Sequence, residues 1–320
     1  MQKFCNQFLR RTALLLTLVW CIPAITMAAH KPKQPEAPPP PLKVTILATA
    51  GVNGHILDWE YQLPKTVDFG LVKAASIVKK ERQNNFNTIL LDGGNMFSGT
   101  ELTKYFASTP STLPNPMVAM YNSLGYDAVV LGDGEFAYGA DYLSKSLKKA
   151  NFSVLAANTR NSGKSELKVQ PYIIKEITVG KDKKKEKIRI GIIGVSNISP
   201  NTSYAGLTFN DPDTAISNTV KKIQKDVNAI IILKNDGLVI NGVTSAVPGK
   251  FGTSVSKTEL TFEKVGKKWW ITHQTEPTNI STVIAPSDTT MSDAIWPYHD
   301  ATLQKIAADK KAAASKPANK

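Results

Sequence analysis

Cysteine is almost absent from this 320-residue sequence, and histidine is scarce: there are two Cys and four His. Both cysteines, Cys5 and Cys21, fall in an N-terminal stretch with the layout of a secretion signal. Lys3, Arg10 and Arg11 form a basic start, Ala13 to Thr26 an apolar run, and Thr26-Met27-Ala28 a small-residue cleavage site. The run is short for a membrane span and Pro23 interrupts it, so cleavage rather than anchoring is expected. A lipid-modified Cys21 is disfavoured by the bulky Trp20 before it. Cleavage leaves a mature chain without cysteine, which excludes disulfides and thiolate metal ligands. Export without disulfides suits a bacterial periplasm, with secretion as the other possibility.

Long acidic tracts are also lacking. The formal charge is +13, and removing the signal's three bases lowers it to +10. The excess sits mainly in Lys181-Asp182-Lys183-Lys184-Lys185-Glu186-Lys187 and in the tail from Lys310 to Lys320. No aromatic residues interleave these lysines, so base stacking has no support and no nucleic-acid partner is expected. The plain reading is solvated charge; the functional one is attraction to an anionic surface.

What remains is organised simply. Residues 1–28 read as the signal, 29–41 (ending EAPPPP) as a proline-rich linker, 42–308 as one globular domain and 309–320 as a disordered basic tail. The domain's first part alternates strand and helix: Val44 to Ala48, a helix through Leu71 and Val78, Thr88 to Asp92, Met117 to Leu124 stopped by Gly125, then Ala128 to Leu131. Tyr142 to Lys149 reads as helical, Val154 to Ala157 as extended and Lys187 to Val195 as a long buried strand. Asp211-Pro212 starts a helix, with a cap residue and a proline at the first position, and Ala229 to Leu233 ends the series. This rhythm predicts an α/β domain with buried parallel strands. Leu260 and Phe262, a Val265-Gly266-Lys267 turn and Trp269 to Thr272 predict a late antiparallel element.

In open α/β sheets chemistry collects at the carboxyl ends of strands. Those ends read TAGVNGH (Thr49 to His55), LDGGNMFSGT (Leu91 to Thr100), LGDGEFAYG (Leu131 to Gly139), LKNDG (Leu233 to Gly237) and INGVTS (Ile240 to Ser245). In this order they resemble the metallophosphatase domain of the 5′-nucleotidase and cyclic-nucleotide phosphodiesterase family, one of the calcineurin-like metallophosphoesterases. The resemblance implies an α/β/β/α layering of mixed sheets flanked by helices, and a two-metal phosphoester hydrolase. Its framework positions are matched by Gly54, His55, Gly94, Phe97, Gly99, Thr100, Gly132, Glu135, Phe136, Tyr138 and Gly139.

Its reagents are not matched. Where that family places metal ligands, this chain has Gly51, Asn53, Asn95 and Asp133; the catalytic His position holds Gly134 and its orienting Asp position Ala137. The later His positions fall near Asn235 and at Val243 and Ser245. Two cations about 3.5–4 Å apart need anionic bridging and imidazoles, and His55 is the only His in any motif. No catalytic residue, metal ligand or cofactor is therefore expected, and Asn53, His55, Asn95, Asp133, Glu135 and Asn235 are expected to form a vestigial pocket. The segment Leu233 to Val239 is too short for a crossover helix, so Ile230 to Leu233 and Leu238 to Ile240 should pair as a hairpin around Asn235-Asp236-Gly237. With so little sequence after Pro297-Tyr298-His299, a counterpart of that family's C-terminal substrate domain is not expected. The expectation is a pseudo-phosphatase that binds or scaffolds, with another envelope protein as partner and no stable membrane insertion. The alternatives are a hydrolase with a rebuilt single-metal site using Asp133, Glu135, His55 and the nearby asparagines, and a metal-free receptor for a small anion using loop amides and lysines.

Overall fold

The computed structural model describes residues 39–163, 165–180 and 185–315. The expected signal, most of the linker, residues 181–184 of the charged run and residues 316–320 lie outside these.

The chain enters the domain at strand Leu42–Thr49, buried on both faces from Val44 onward, with Leu42, Val44, Ile46 and Ala48 on one face and Lys43, Thr45, Leu47 and Thr49 on the other. Val44, Ile46 and Ala48 point one way and Leu47 the other, into two separate cores. This strand pairs in parallel with Thr88–Asp92, which continues in parallel to Ala128–Val130 and Ser153–Leu155. On its other edge it pairs antiparallel with Ser254–Val265, the late element foreseen in the sequence, which in turn carries Lys268–Gln274 and Thr278–Ser281.

A second sheet runs in the order Val243–Thr244, Gly237–Ile240, Ala229–Lys234, Glu186–Gly194 and Tyr172–Val179, with only the Ala229–Lys234 and Glu186–Gly194 pair parallel. Ile190, Ile192, Ile231, Leu233, Leu238 and Ile240 from this sheet pack on Val44, Ile46, Ile89, Val130, Leu260 and Phe262 from the first. Truncating any of the Ile or Leu side chains among them to Ala would cost roughly 2–5 kcal/mol, since such a core collapses only partly around a cavity.

Helices cover the outer faces. α1 (Leu71–Asn84), α2 (Glu101–Ser108), α3 (Pro116–Leu124), α4 (Ala140–Leu147) and α6 (Thr289–Ala314) bury the second core against the first sheet, while α5 (Pro212–Ile223) lies on the second. The layers are those expected. Local signals were used as read: Asp211 caps α5 through a 2.7 Å bond from Thr214 N, with Pro212 at its first position, and Gly125 ends α3 at φ 71°.

Three findings differ from the sequence reading. α2 and α6 were not foreseen, and residues 309–314, expected to be disordered, continue α6 as an exposed helix built from Ala, Lys and Asp. Ala and Lys are strong helix formers, which lets the helix run past its last packed turn. The hairpin is present, with Leu233 opposite Leu238 and Lys234 opposite Gly237. Within Asn235-Asp236-Gly237, however, only Gly237 takes positive φ, at 134°, so the turn is not the double left-handed type that Asn-Gly pairs favour.

Candidate functional site

The exits of strands Leu42–Thr49 and Thr88–Asp92 run side by side and are zipped by backbone bonds: Gly93 N to Thr49 O (2.8 Å), Gly51 N to Gly94 O (2.9 Å), Asn53 N to Asn95 O (2.8 Å) and Gly54 N to Met96 O (3.1 Å). Asn53 and Asn95 both adopt left-handed backbone, at φ 47° and 61°, which Asn tolerates better than most residues. Gly94 is required by space as well as by its φ of 86°, because a Cβ there would lie 2.4 Å from Val130 O. These residue types build a tight double loop at the place where α/β folds collect ligands.

Glu135 is the hub of that loop. It sits in the one-turn helix Asp133–Phe136 and is 1% exposed. Its Oε2 accepts Asn95 N (2.9 Å) and Gly132 N (2.6 Å), and its Oε1 accepts Met96 N (2.6 Å). Burial pushes its carboxyl up to about 6, against the pull of those amide bonds. Asn95 is held in the same web, with Oδ1 accepting Gly134 N at 2.9 Å. Asn235, on the hairpin of the second sheet, donates Nδ2 to Gly93 O (2.6 Å) and Leu131 O (3.3 Å) and accepts Asn197 N at Oδ1 (2.7 Å). It ties the two sheets' loops together.

Asp92 lies deeper and was not singled out from the sequence. An acid that closes a strand looks like any turn residue, so no spacing signalled it. It is fully buried, with Oδ2 accepting Thr49 Oγ1 at 2.5 Å and Oδ1 accepting Gly94 N at 2.7 Å; Thr49 Oγ1 is also 2.7 Å from Tyr126 Oη. Burial pushes this carboxyl up to about 7, with a smaller contribution from the negative charge of Glu135.

The remaining expected residues do not join this web through their side chains. Asp133 is exposed. His55 is buried, its ring 4.6 Å from that of Phe251 and 5.5 Å from that of Phe69. Its Nδ1 lies 3.2 Å from Val52 O, so that nitrogen carries the proton, and burial holds its pKa below the ordinary value. Val243 is exposed at the sheet edge, and Ser245 is buried with Oγ 3.4 Å from Thr258 Oγ1. Among the described residues no three His, Cys, Asp or Glu converge on a point that could hold a metal ion. The donor set does not fit a two-metal centre: Glu135 and Asn235 are committed to loop amides and carbonyls, Asn95 accepts a loop amide, and the one nearby imidazole sits between two phenyl rings.

No family model matches the chain. Among curated proteins it is 34% identical over 167 residues to the trifunctional nucleotide phosphoesterase protein YfkN of Bacillus subtilis, a match over 50% of this chain and 11% of that protein. It is 30% identical over 203 residues to the 2′,3′-cyclic-nucleotide 2′-phosphodiesterase/3′-nucleotidase of Yersinia enterocolitica, over 60% of this chain and 31% of that protein. It is 31% identical over 235 residues to the snake venom 5′-nucleotidase of Gloydius brevicauda, over 70% and 36%. The matches thus span about a tenth to a third of these relatives' lengths. The fold matches the crystal structure of calcineurin-like phosphoesterase YfkN from Bacillus subtilis at TM-score 0.71 and 23% identity, over 83% of this chain and 99% of that one. It also matches the 5′-nucleotidase precursor of Thermus thermophilus at 0.65 and 19%, over 82% and 59%. With the layered fold, the order of the strand-end loops and these likenesses in agreement, the chain belongs to the calcineurin-like metallophosphoesterase domains of the 5′-nucleotidase and 2′,3′-cyclic-nucleotide phosphodiesterase family.

Proposed function

We propose that this domain is a pseudo-phosphatase: a metallophosphoesterase fold, exported to the cell envelope, that binds or scaffolds another envelope protein and does not turn over phosphoesters. The observation that carries this reading is the fate of the strand-end polar groups. Glu135, Asn95 and Asn235 direct their hydrogen bonds to loop backbone, where a hydrolase needs ligands, a general acid and an activated water at the reacting phosphate. The hairpin at Asn235-Asp236 supports it further. With strands Ala229–Lys234 and Gly237–Ile240 joined by a two-residue turn, no crossover helix raises a wall there, and a shallow surface suits a protein partner better than an enclosed small substrate.

Nothing in the geometry favours the rebuilt single-metal alternative, since Asp133, Glu135 and His55 occupy an exposed turn, a buried amide web and an aromatic cage respectively. The test is turnover of AMP, 2′,3′-cyclic AMP and bis(p-nitrophenyl) phosphate with Mn²⁺ supplied. The expected rate equals that of a mock preparation. Hydrolysis that survives purification and is abolished by Asp133→Ala would overturn the proposal.

A further inference from the structure

A second candidate site lies on the helical side of the domain, in the cleft between the α2–α3 loop and α4. The cavity measures about 480 Å³, within the range of small-molecule sites. Tyr142, Lys145, Ser146 and Lys149 line one wall at the i, i+3, i+4, i+7 spacing of a single helical face. That stripe is polar and cationic, while the core side of α4 is supplied by Leu143.

The hydrogen-bond pattern makes this wall a donor surface. Asn115 caps α3, with Oδ1 accepting Val118 N at 3.1 Å, and its Nδ2 donates to Tyr142 Oη (2.6 Å) and Ser146 Oγ (3.2 Å). Ser146 in turn bonds the Tyr142 hydroxyl, so of the two the Tyr142 proton is left to offer. The ammonium groups of Lys145 and Lys149 add donors and charge, and among the described residues no Asp or Glu lines the cleft. The nearby Glu166 pairs with Lys148 at 3.0 Å and feels the charge of Lys145 only secondarily. The α2–α3 side mixes the apolar Phe106, Leu113 and Pro114 with the hydroxyl residues Ser108, Thr109 and Ser111.

From a cationic donor wall beside the apolar side chains of Phe106, Leu113 and Pro114 we infer that this cleft binds a small organic anion, a carboxylate or phosphate ester carried on a hydrocarbon or aromatic body. The anion seats on Tyr142, Lys145 and Lys149 through charge-assisted bonds, and the body packs on Phe106 and Leu113. This site shares no residue with the strand-end loops and stands whether or not those loops are catalytic.

Calorimetric titration of the full chain with phenyl phosphate, benzoate, inorganic phosphate and phenol tests it. Saturable binding of phenyl phosphate or benzoate is expected, the stronger of the two identifying the anion, with inorganic phosphate and phenol each at least tenfold weaker. Lys145→Gln/Lys149→Gln should weaken binding at least tenfold and Tyr142→Phe several-fold. The control pair Lys267→Gln/Lys268→Gln, on a turn away from the cleft, should leave it unchanged. Absence of saturable binding, binding indifferent to the Lys145/Lys149 pair, or equal loss in the control pair would each overturn the inference.

Discussion

Glu135 closes the loop that begins at Asn95 by accepting Asn95 N at 2.9 Å while its other oxygen accepts Met96 N at 2.6 Å. With the bond from Gly132 N, one carboxylate satisfies three amides in a water-poor place. Glu135→Ala should therefore unfold the strand-end loops before it does anything chemical. Leaving buried donors unpaired costs about 1–3 kcal/mol each, so a loss on the order of 3 kcal/mol or more is expected by urea denaturation. Unchanged stability would show that Glu135 is not a structural brace.

The second prediction concerns pH. Asp92 and Glu135 are both fully buried, and burial raises their carboxyls to about 7 and about 6, from ordinary values of 3.8 and 4.5. The native state then binds more protons than the unfolded state between about pH 4 and 7, so stability must fall as pH rises through that window. The linked penalty above the folded values is roughly 4 kcal/mol for Asp92 and 2 kcal/mol for Glu135 as upper figures. His55 and His299, held below their ordinary 6.5 by burial, work in the opposite sense as pH falls below that value, and Asp211, held down by its bonds from Thr214, does so only towards pH 4 and below. The two carboxyls carry the larger shifts and set the sign. Denaturation midpoints should be higher at pH 5 than at pH 8. Asp92→Asn should flatten that slope, because Thr49 can reverse its hydroxyl, accepting from the introduced amide and donating to Tyr126. A midpoint that rises from pH 5 to pH 8 would contradict the assignment.

A third prediction follows from Asn235, which bonds Gly93, Leu131 and Asn197 across the two sheets' loops. Asn235→Ala leaves these groups without that partner, and a loss of about 2–3 kcal/mol is expected. Amide exchange should accelerate at Asn197, whose N–H is the donor released. Protection at that amide equal to wild type would mean that the crosslink is not formed in solution.

The layered fold was legible because its strands alternate or run apolar and its turns carry their own chemistry. Gly125 and Asp211-Pro212 acted where their residue types demand. α6 was not legible: Trp296-Pro297 breaks its pattern, and its buried face is only Met291, Ile295, Tyr298, His299 and Thr302 spread over a long helix. At the site, the order of the strand-end motifs was readable, and so was the identity of Asn95, Glu135 and Asn235. Their employment was not. Which oxygen accepts which amide depends on two loops and a hairpin far apart in sequence, and Asp92 gains its importance only from burial that other elements create.

Metal content tests the central claim most directly. The protein should be purified without chelator, from cells grown with Mn²⁺ and Zn²⁺, and its ions counted per chain by elemental analysis, with a thermal shift on re-addition of each ion. Because the strand-end donors are occupied by loop amides and carbonyls, the expected content is far below one ion per chain and the expected shift is nil, since only a ligand that binds the native state stabilises it. One or two tightly held ions per chain, with a melting temperature that rises on their return, would contradict the account and make the domain a metal-dependent hydrolase candidate again.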